Sequence, residues 1–259
     1  MALFTDGLLS TVDDLAAQDS QLLNVAQAEG IDVTQKLTLA QNELSLDLTS
    51  LLATNSYFDR WLWVMAPRPN LNTVVVTPPL KLWHTYRGLE LFYIDAYNSQ
   101  LNDRYSGKRD QFHEMSKEAY EKLREMGLGI ALSPVPEAPP PQLVLAQPAS
   151  GNNLPNGTYF AAISWVNAAG QEGAASEPAA VATIYSSFLV EAGSPPATAT
   201  GWNAYTGTSP NGLTLQNASP VPLGESWAQP GTPSTSGRAP GSGQAPSYYR
   251  PIPRVIQRG

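Results

Sequence analysis

Apolar and aromatic side chains recur at Leu82, Tyr86, Leu89, Tyr93, Tyr97, Leu101, Tyr105, Phe112, Met115, Ala119, Leu123 and Met126, in steps of three, four or seven that trace one helical face. The spacing predicts one long helix, or two stacked pieces, over residues 82–126, with Gly88 and Gly107 as candidate break points. Thr77 is placed to cap it and Pro78 or Pro79 to occupy the first turn, where a missing N–H costs nothing. Gly127 and Gly129, then Pro134 and Pro136, mark its end. An unbroken rod would run about 65–70 Å at roughly 1.5 Å per residue. Upstream, Ser10 and Asp13 form a capping-box-like pair before Val12, Leu15, Leu22, Leu23 and Ala26, and Gly30 closes that segment. Asp32 or Thr34 then opens a second helix with an apolar stripe at Val33, Leu37, Ala40, Leu44, Leu48 and Leu51. Two short helices followed by a long one predict a helical hairpin or small bundle over residues 1–133.

The pattern changes twice. Between Asn55 and Pro79 the aromatic cluster Tyr57, Phe58, Trp61 and Trp63 precedes prolines and a β-branched run, Thr73 to Thr77. It reads as a loop or short β-excursion, packed either under itself or against another subunit. Prolines at 134, 136, 139, 140 and 141 predict a stiff extended linker over 134–141. Short β-type segments follow at Thr158 to Val166, Val181 to Tyr185, Phe188 to Val190, Trp202 to Tyr205 and Leu213 to Leu215, with a turn at Asn167 to Gly173. They predict an antiparallel sandwich over 142–232, with Tyr159, Ile163, Trp165, Val181, Ile184, Trp202 and Tyr205 in its core. Residues 233–259 read as a flexible Gly/Ser/Pro-rich spacer and an extended basic arm. The fold class expected is α+β and multidomain.

Charge sharpens this division. Residues 1–133 hold 11 Lys and Arg against 17 Asp and Glu, residues 134–237 only five Glu, and the remainder four Arg, at 238, 250, 254 and 258. An acidic body does not hold nucleic acid by counterion release, although an acidic wall can line a passage through which DNA slides. The chain has no cysteine, which removes disulfides, thiol nucleophiles and Cys-based zinc sites together. No apolar run approaches the roughly 18–20 residues of a membrane span, and the first residues do not read as a signal peptide; a soluble product made in a cytoplasm is expected. The two histidines, His84 and His113, cannot sit on adjacent turns as a metal pair. Asp103, Asp110, Glu114, Glu118 and Glu121 interleave with Arg104, Lys108, Arg109, Lys117 and Lys122 at the spacing of i,i+4 solvated ion pairs. With no phosphate loop, dinucleotide fingerprint or nucleophile elbow, neither a catalytic site nor a cofactor nor a metal is expected.

Two blocks resemble known families. Residues 157–173, GTYFAAISWVNAAGQEG, with residues 201–220, GWNAYTGTSPNGLTLQNASP, resemble the fibronectin type III-like modules appended to tailed-bacteriophage virion proteins. Residues 83–105, WHTYRGLELFYIDAYNSQLNDRY, are similar to phage neck proteins, the head-to-tail connectors beneath the portal. The resemblance implies an immunoglobulin-like or fibronectin-like sandwich and a helical body in a homo-oligomeric ring, usually of twelve copies. It implies the portal protein and the tail or next neck protein as partners, DNA passing through without specific binding, and a place in the virion neck. The alternative is a tail- or fibre-associated adhesion protein that binds through its β-domain. Trp83, Phe92, Tyr93 and Tyr120 exceed what a three-helix body buries alone and are expected at the oligomer interface. In the arm, Tyr248, Tyr249, Arg250, Ile252, Arg254, Val255, Ile256 and Arg258 offer apolar anchors and charge, and Pro251 and Pro253 keep it extended for strand addition or groove binding on an acidic neighbour.

Overall fold

The computed structural model describes residues 1–53, 68–100, 103–146 and 154–252; the aromatic cluster at Tyr57, Phe58, Trp61 and Trp63 lies outside them. The fold is α+β, with a helical N-terminal part and several antiparallel sheets. Two compact units divide the chain: Gly7–Leu132 with Pro246–Gly259, and Met1–Asp6 with Ser133–Ala245.

In the helical unit the expected first helix is two, α1 (Val12–Gln18) and α2 (Leu22–Glu29). Thr11, not Ser10, caps α1, its hydroxyl accepting from Asp14 N at 3.2 Å while Asp14 Oδ2 accepts from Thr11 N at 2.8 Å. Ser10 is instead buried against the Thr85 hydroxyl at 2.8 Å. Gly30 closes α2 at φ 67°, where a side chain would be strained. Asp32 Oδ1 accepts from Thr34 N and Gln35 N and so starts α3 (Val33–Ala53), which buries Val33, Leu37, Ala40, Leu44 and Leu48 as its period predicts.

The long periodic stretch is two helices, α4 (Pro78–Gln100) and α5 (Ser106–Met126), folded back on each other as an antiparallel hairpin. A single tight turn at Asp103–Tyr105 leads into α5, so neither Gly88 nor Gly107 is the break. Gly88 lies inside α4, where a Cβ would stand 3.2 Å from Leu37 Cδ2; its role is close helix packing. The Thr77 hydroxyl does not cap α4. It is buried without a partner, while the Thr77 carbonyl accepts from Lys81 N at 2.9 Å. Gly127, at φ 88°, ends α5 and β1 (Leu128–Ile130) follows, paired antiparallel with β10 (Tyr248–Arg250). On the other edge of β1, Val75 N–H donates to Gly129 O at 3.0 Å and Ala131 N–H to Thr73 O at 2.8 Å.

The second unit holds two antiparallel sheets. One has the order β2 (Gln142–Ala146), β5 (Ser187–Glu191), β9 (Trp227–Ala228). The other runs β4 (Ala179–Thr183), β3 (Gly157–Asn167), β6 (Ala199–Gly207), β7 (Thr214–Leu215), with β8 (Val221–Pro222) also on β6. Tyr159, Ile163, Trp165, Trp202 and Ala204 of the second sheet share one core with Phe188 and Val190 of the first. Two of the expected core residues sit elsewhere. Ile184 is 73% exposed, just past the end of β4, and Tyr205 is buried in a separate cluster with Ala162 and Leu213. Alternation explains the latter, since Ala162 and Ile163 point to opposite faces.

The proline-rich segment is part of this core and not a free linker. Val135 and Ala138 are buried in it, and Val135 N–H donates to Gln244 Oε1 at 2.5 Å. Gly173 permits the approach, because a Cβ there would lie 2.7 Å from Val135 O. The expected spacer is likewise bonded along the unit: Leu215 N–H donates to Arg238 O at 2.9 Å, Ser234 N–H to Gln216 Oε1 at 2.9 Å, and Ala174 bridges Ser242. Backbone hydrogen bonds hold what its side chains are too small to bury.

Candidate functional site

Three of the four aromatic residues expected at an inter-subunit surface are buried by their own chain. Phe92 is 0%, Tyr93 1% and Trp83 7% exposed, and Tyr120 is half-buried. Tyr93 stacks on Phe112 at 5.5 Å and 14°, Phe92 meets Tyr93 edge-on at 5.1 Å, and Trp83 lies 4.9 Å from Tyr120. Leu15 and Leu22 of the two short helices, with Val33 and Leu37, close the other side of this core. The expectation undercounted their contribution, so the excess of aromatic surface that called for a neighbouring copy is absent at these positions. Tyr93 Oη donates to Asp19 Oδ2 at 2.5 Å, and Lys108 Nζ reaches the same oxygen at 3.1 Å. Burial and then the Asp19 bond push the Tyr93 hydroxyl above its ordinary pKa.

Where α3, α4 and α5 meet, a cavity of about 380 Å³ opens between Trp83, Arg87, Glu90, His113, Tyr120 and Asp47. Glu90 is 4% exposed and fully compensated: Oε1 accepts from His113 Nδ1 at 2.7 Å and Oε2 from Arg87 Nη1 at 2.8 Å. Arg87 Nε continues to Glu43 Oε2 at 2.6 Å, so one hydrogen-bonded chain ties three helices together. Asp47 at the rim has its carboxyl raised, by burial first and by Glu43 second, against the pull of Arg87. A carboxylate-oriented imidazole is half of a proton-transfer pair, but no donor or acceptor among the described residues engages His113 Nε2. The arrangement is a packing lock with an aromatic wall. His84 is 0% exposed; its Nε2–H donates to Leu37 O at 3.1 Å, and burial lowers its pKa to about 4.

The surface carboxylates pair at other spacings than the expected i,i+4: Arg109 with the adjacent Asp110, and Lys117 with Glu114 and Arg124 with Glu121 three residues apart. Among the described residues no group of three or more His, Cys, Asp or Glu is placed to hold a metal ion, and no helix is long and apolar enough to cross a membrane.

Of the arm, Tyr248, Tyr249 and Arg250 form β10 on their own helical unit, and Ile252 is 8% exposed. Arg250 is 4% exposed, its Nη1 donating to Leu52 O at 3.2 Å. Arg254, Val255, Ile256 and Arg258 lie outside the described residues.

The β unit has one polar centre that sequence reasoning missed. Glu172 accepts from the Ser164 and Tyr205 hydroxyls and from Arg238 Nη2. Burial alone would raise its carboxyl, yet these hydrogen bonds hold it below the ordinary range. The only signal was composition: Glu172 and Arg238 are among very few charges between residues 134 and 245. Comparisons of the chain with known protein families, curated proteins and solved structures return no match.

Proposed function

We propose that the chain is a structural subunit of a tailed-phage virion, with the helical unit forming a ring in the neck and the β unit as an appended fibronectin type III-like module. The reading is carried by one observation: the block that resembles neck connectors, residues 83–105, falls on α4 and its turn, at the centre of a compact helical unit. Two others support it. The module-like blocks, residues 157–173 and 201–220, contain β3 and β6, which pair along their length with Trp165 opposite Trp202. The acidic excess of residues 1–133 suits a wall past which DNA moves without sticking. In this role the chain does no chemistry; it joins the portal to the tail through other copies and neighbouring virion proteins. The test is the mass and rotational symmetry of the purified assembly. A closed ring of about twelve copies supports the reading, whereas a trimer favours a fibre-associated adhesion protein and a monomer at all concentrations overturns the ring.

A further inference from the structure

The last passage of chain into the helical unit carries one short element, β10, and its seat is built to take an extended peptide. The ladder sets Leu128 opposite Arg250, Gly129 opposite Tyr249 and Ile130 opposite Tyr248. It continues through Ser247 N–H to Ile130 O at 2.8 Å and Leu132 N–H to Ser247 Oγ at 3.1 Å. Two glycines make the room: a Cβ on Gly127 would fall 2.8 Å from Arg250 O, and one on Gly129 would fall 3.2 Å from Pro246 Cβ. Arg250 is the anchor. Its guanidinium reaches the Leu52 carbonyl near the C-terminal end of α3, where the helix dipole favours a cation. An empty seat would leave the backbone groups that β1 turns to this edge, the Ile130 carbonyl among them, buried without partners.

The strand that fills the seat is not part of the compact unit it directly follows. Residues up to Ala245 belong to the β unit, and Pro246 begins the segment that completes the helical one. Ser242, bridged to Ala174, and Gln244, whose side chain bonds Val135, hold the chain to the β unit almost to the passage, with Gly243 between them at φ 106°, so the re-routing falls at Ala245 and Pro246. We propose that this strand is exchangeable: Pro246–Ile252 of one copy occupies the β1 edge of a neighbouring copy, so that copies are linked by donated strands. The seat is the same on every copy, and the ladder and the Arg250 anchor are the same whichever copy supplies them. Own-chain and neighbour-chain occupancy therefore differ chiefly in the tether, which is the condition for low-cost swapping. A short tether gives the chain's own strand an effective concentration on the order of millimolar, so exchange waits for assembly, where neighbouring strands reach similar local concentrations. The inference needs copies that assemble, in a neck ring or otherwise.

The absence of cysteine makes a direct test available. Ile130→Cys and Tyr248→Cys place thiols on directly opposed residues. The two single variants are mixed, assembled at high concentration and oxidised, each variant alone setting the background. A reducible heterodimer is expected, together with a ladder of linked chains from the double variant. Internal closure of the double variant, with no heterodimer from the mixture, overturns strand exchange whether the sample is a ring or a monomer; the mass of the same sample reports on the ring separately. Because Ile130 is buried, the exposed pair Leu132→Cys and Ser247→Cys is run in parallel, so that a folding defect in the first pair leaves the second to decide.

Discussion

His84 shows how a residue invisible to motif searching sets the behaviour of its unit. Its ring is fully buried, with one nitrogen bonded to the Leu37 carbonyl and the other, Nδ1, without a partner. The imidazole is therefore neutral in the fold, with a pKa of about 4 against an ordinary 6.5. The unfolded chain binds the proton first as pH falls, so this contribution to stability is complete above pH 6.5 and is lost progressively toward pH 4, on the order of 3 kcal/mol in all. Urea midpoints measured between pH 7.5 and 4.5 should drop accordingly, and the drop should flatten in His84→Gln, which keeps the donor and loses the titration. Glu172 makes the complementary point. Its partners Ser164, Tyr205 and Arg238 are separated from it by 8, 33 and 66 positions, beyond any local pattern.

At the scale of elements, what was legible followed periodicity, and what was not depended on contacts distant in sequence. The stripe of α3 and the Asn167 to Gly173 turn were readable because each is decided within a few residues; Asn167 Oδ1 accepts from Ala169 N and Gln171 N. Two stacked pieces were foreseen, but the position of the break between α4 and α5 was hidden because both helices bury the same periodic face in one core, and so the apolar stripe runs through the turn without losing step. Glycine was a misleading guide there, since Gly88 serves packing against Leu37. Strands β8 and β9 escaped notice because they are two residues each, and β2 because its short apolar run, Leu143 to Ala146, directly follows the prolines and stays largely exposed at a sheet edge. The covered aromatic core carries a sharp expectation. Phe92→Asp places a charge at a fully buried position and should abolish the cooperative melt and most far-UV helicity, where a residue at a subunit interface would lose only assembly.

For the whole molecule, the boundaries drawn from composition were too narrow. Residues 142–232 hold most of the β core but lack Val135 and Ala138, which are buried in it, and the 233–245 segment bonded over Leu215, Gln216 and Glu172. A fragment spanning 133–245 should melt cooperatively and at a clearly higher temperature than 142–232; equal midpoints would mean that the proline segment and the strap contribute nothing. Connectivity also imposes an order in time. Leu3 and Phe4, 2% and 3% exposed in the finished protein, belong to the unit completed by Ser133–Ala245, and Asp6 Oδ1 accepts from Glu137 N at 3.0 Å. During synthesis from the N-terminus these side chains leave the ribosome before the helical unit does, yet their place is not finished until about residue 245 has followed. The nascent chain therefore carries an uncovered apolar hook throughout the making of its helical unit, and a substitution at Leu3 or Phe4 would act on the last step of folding, not the first.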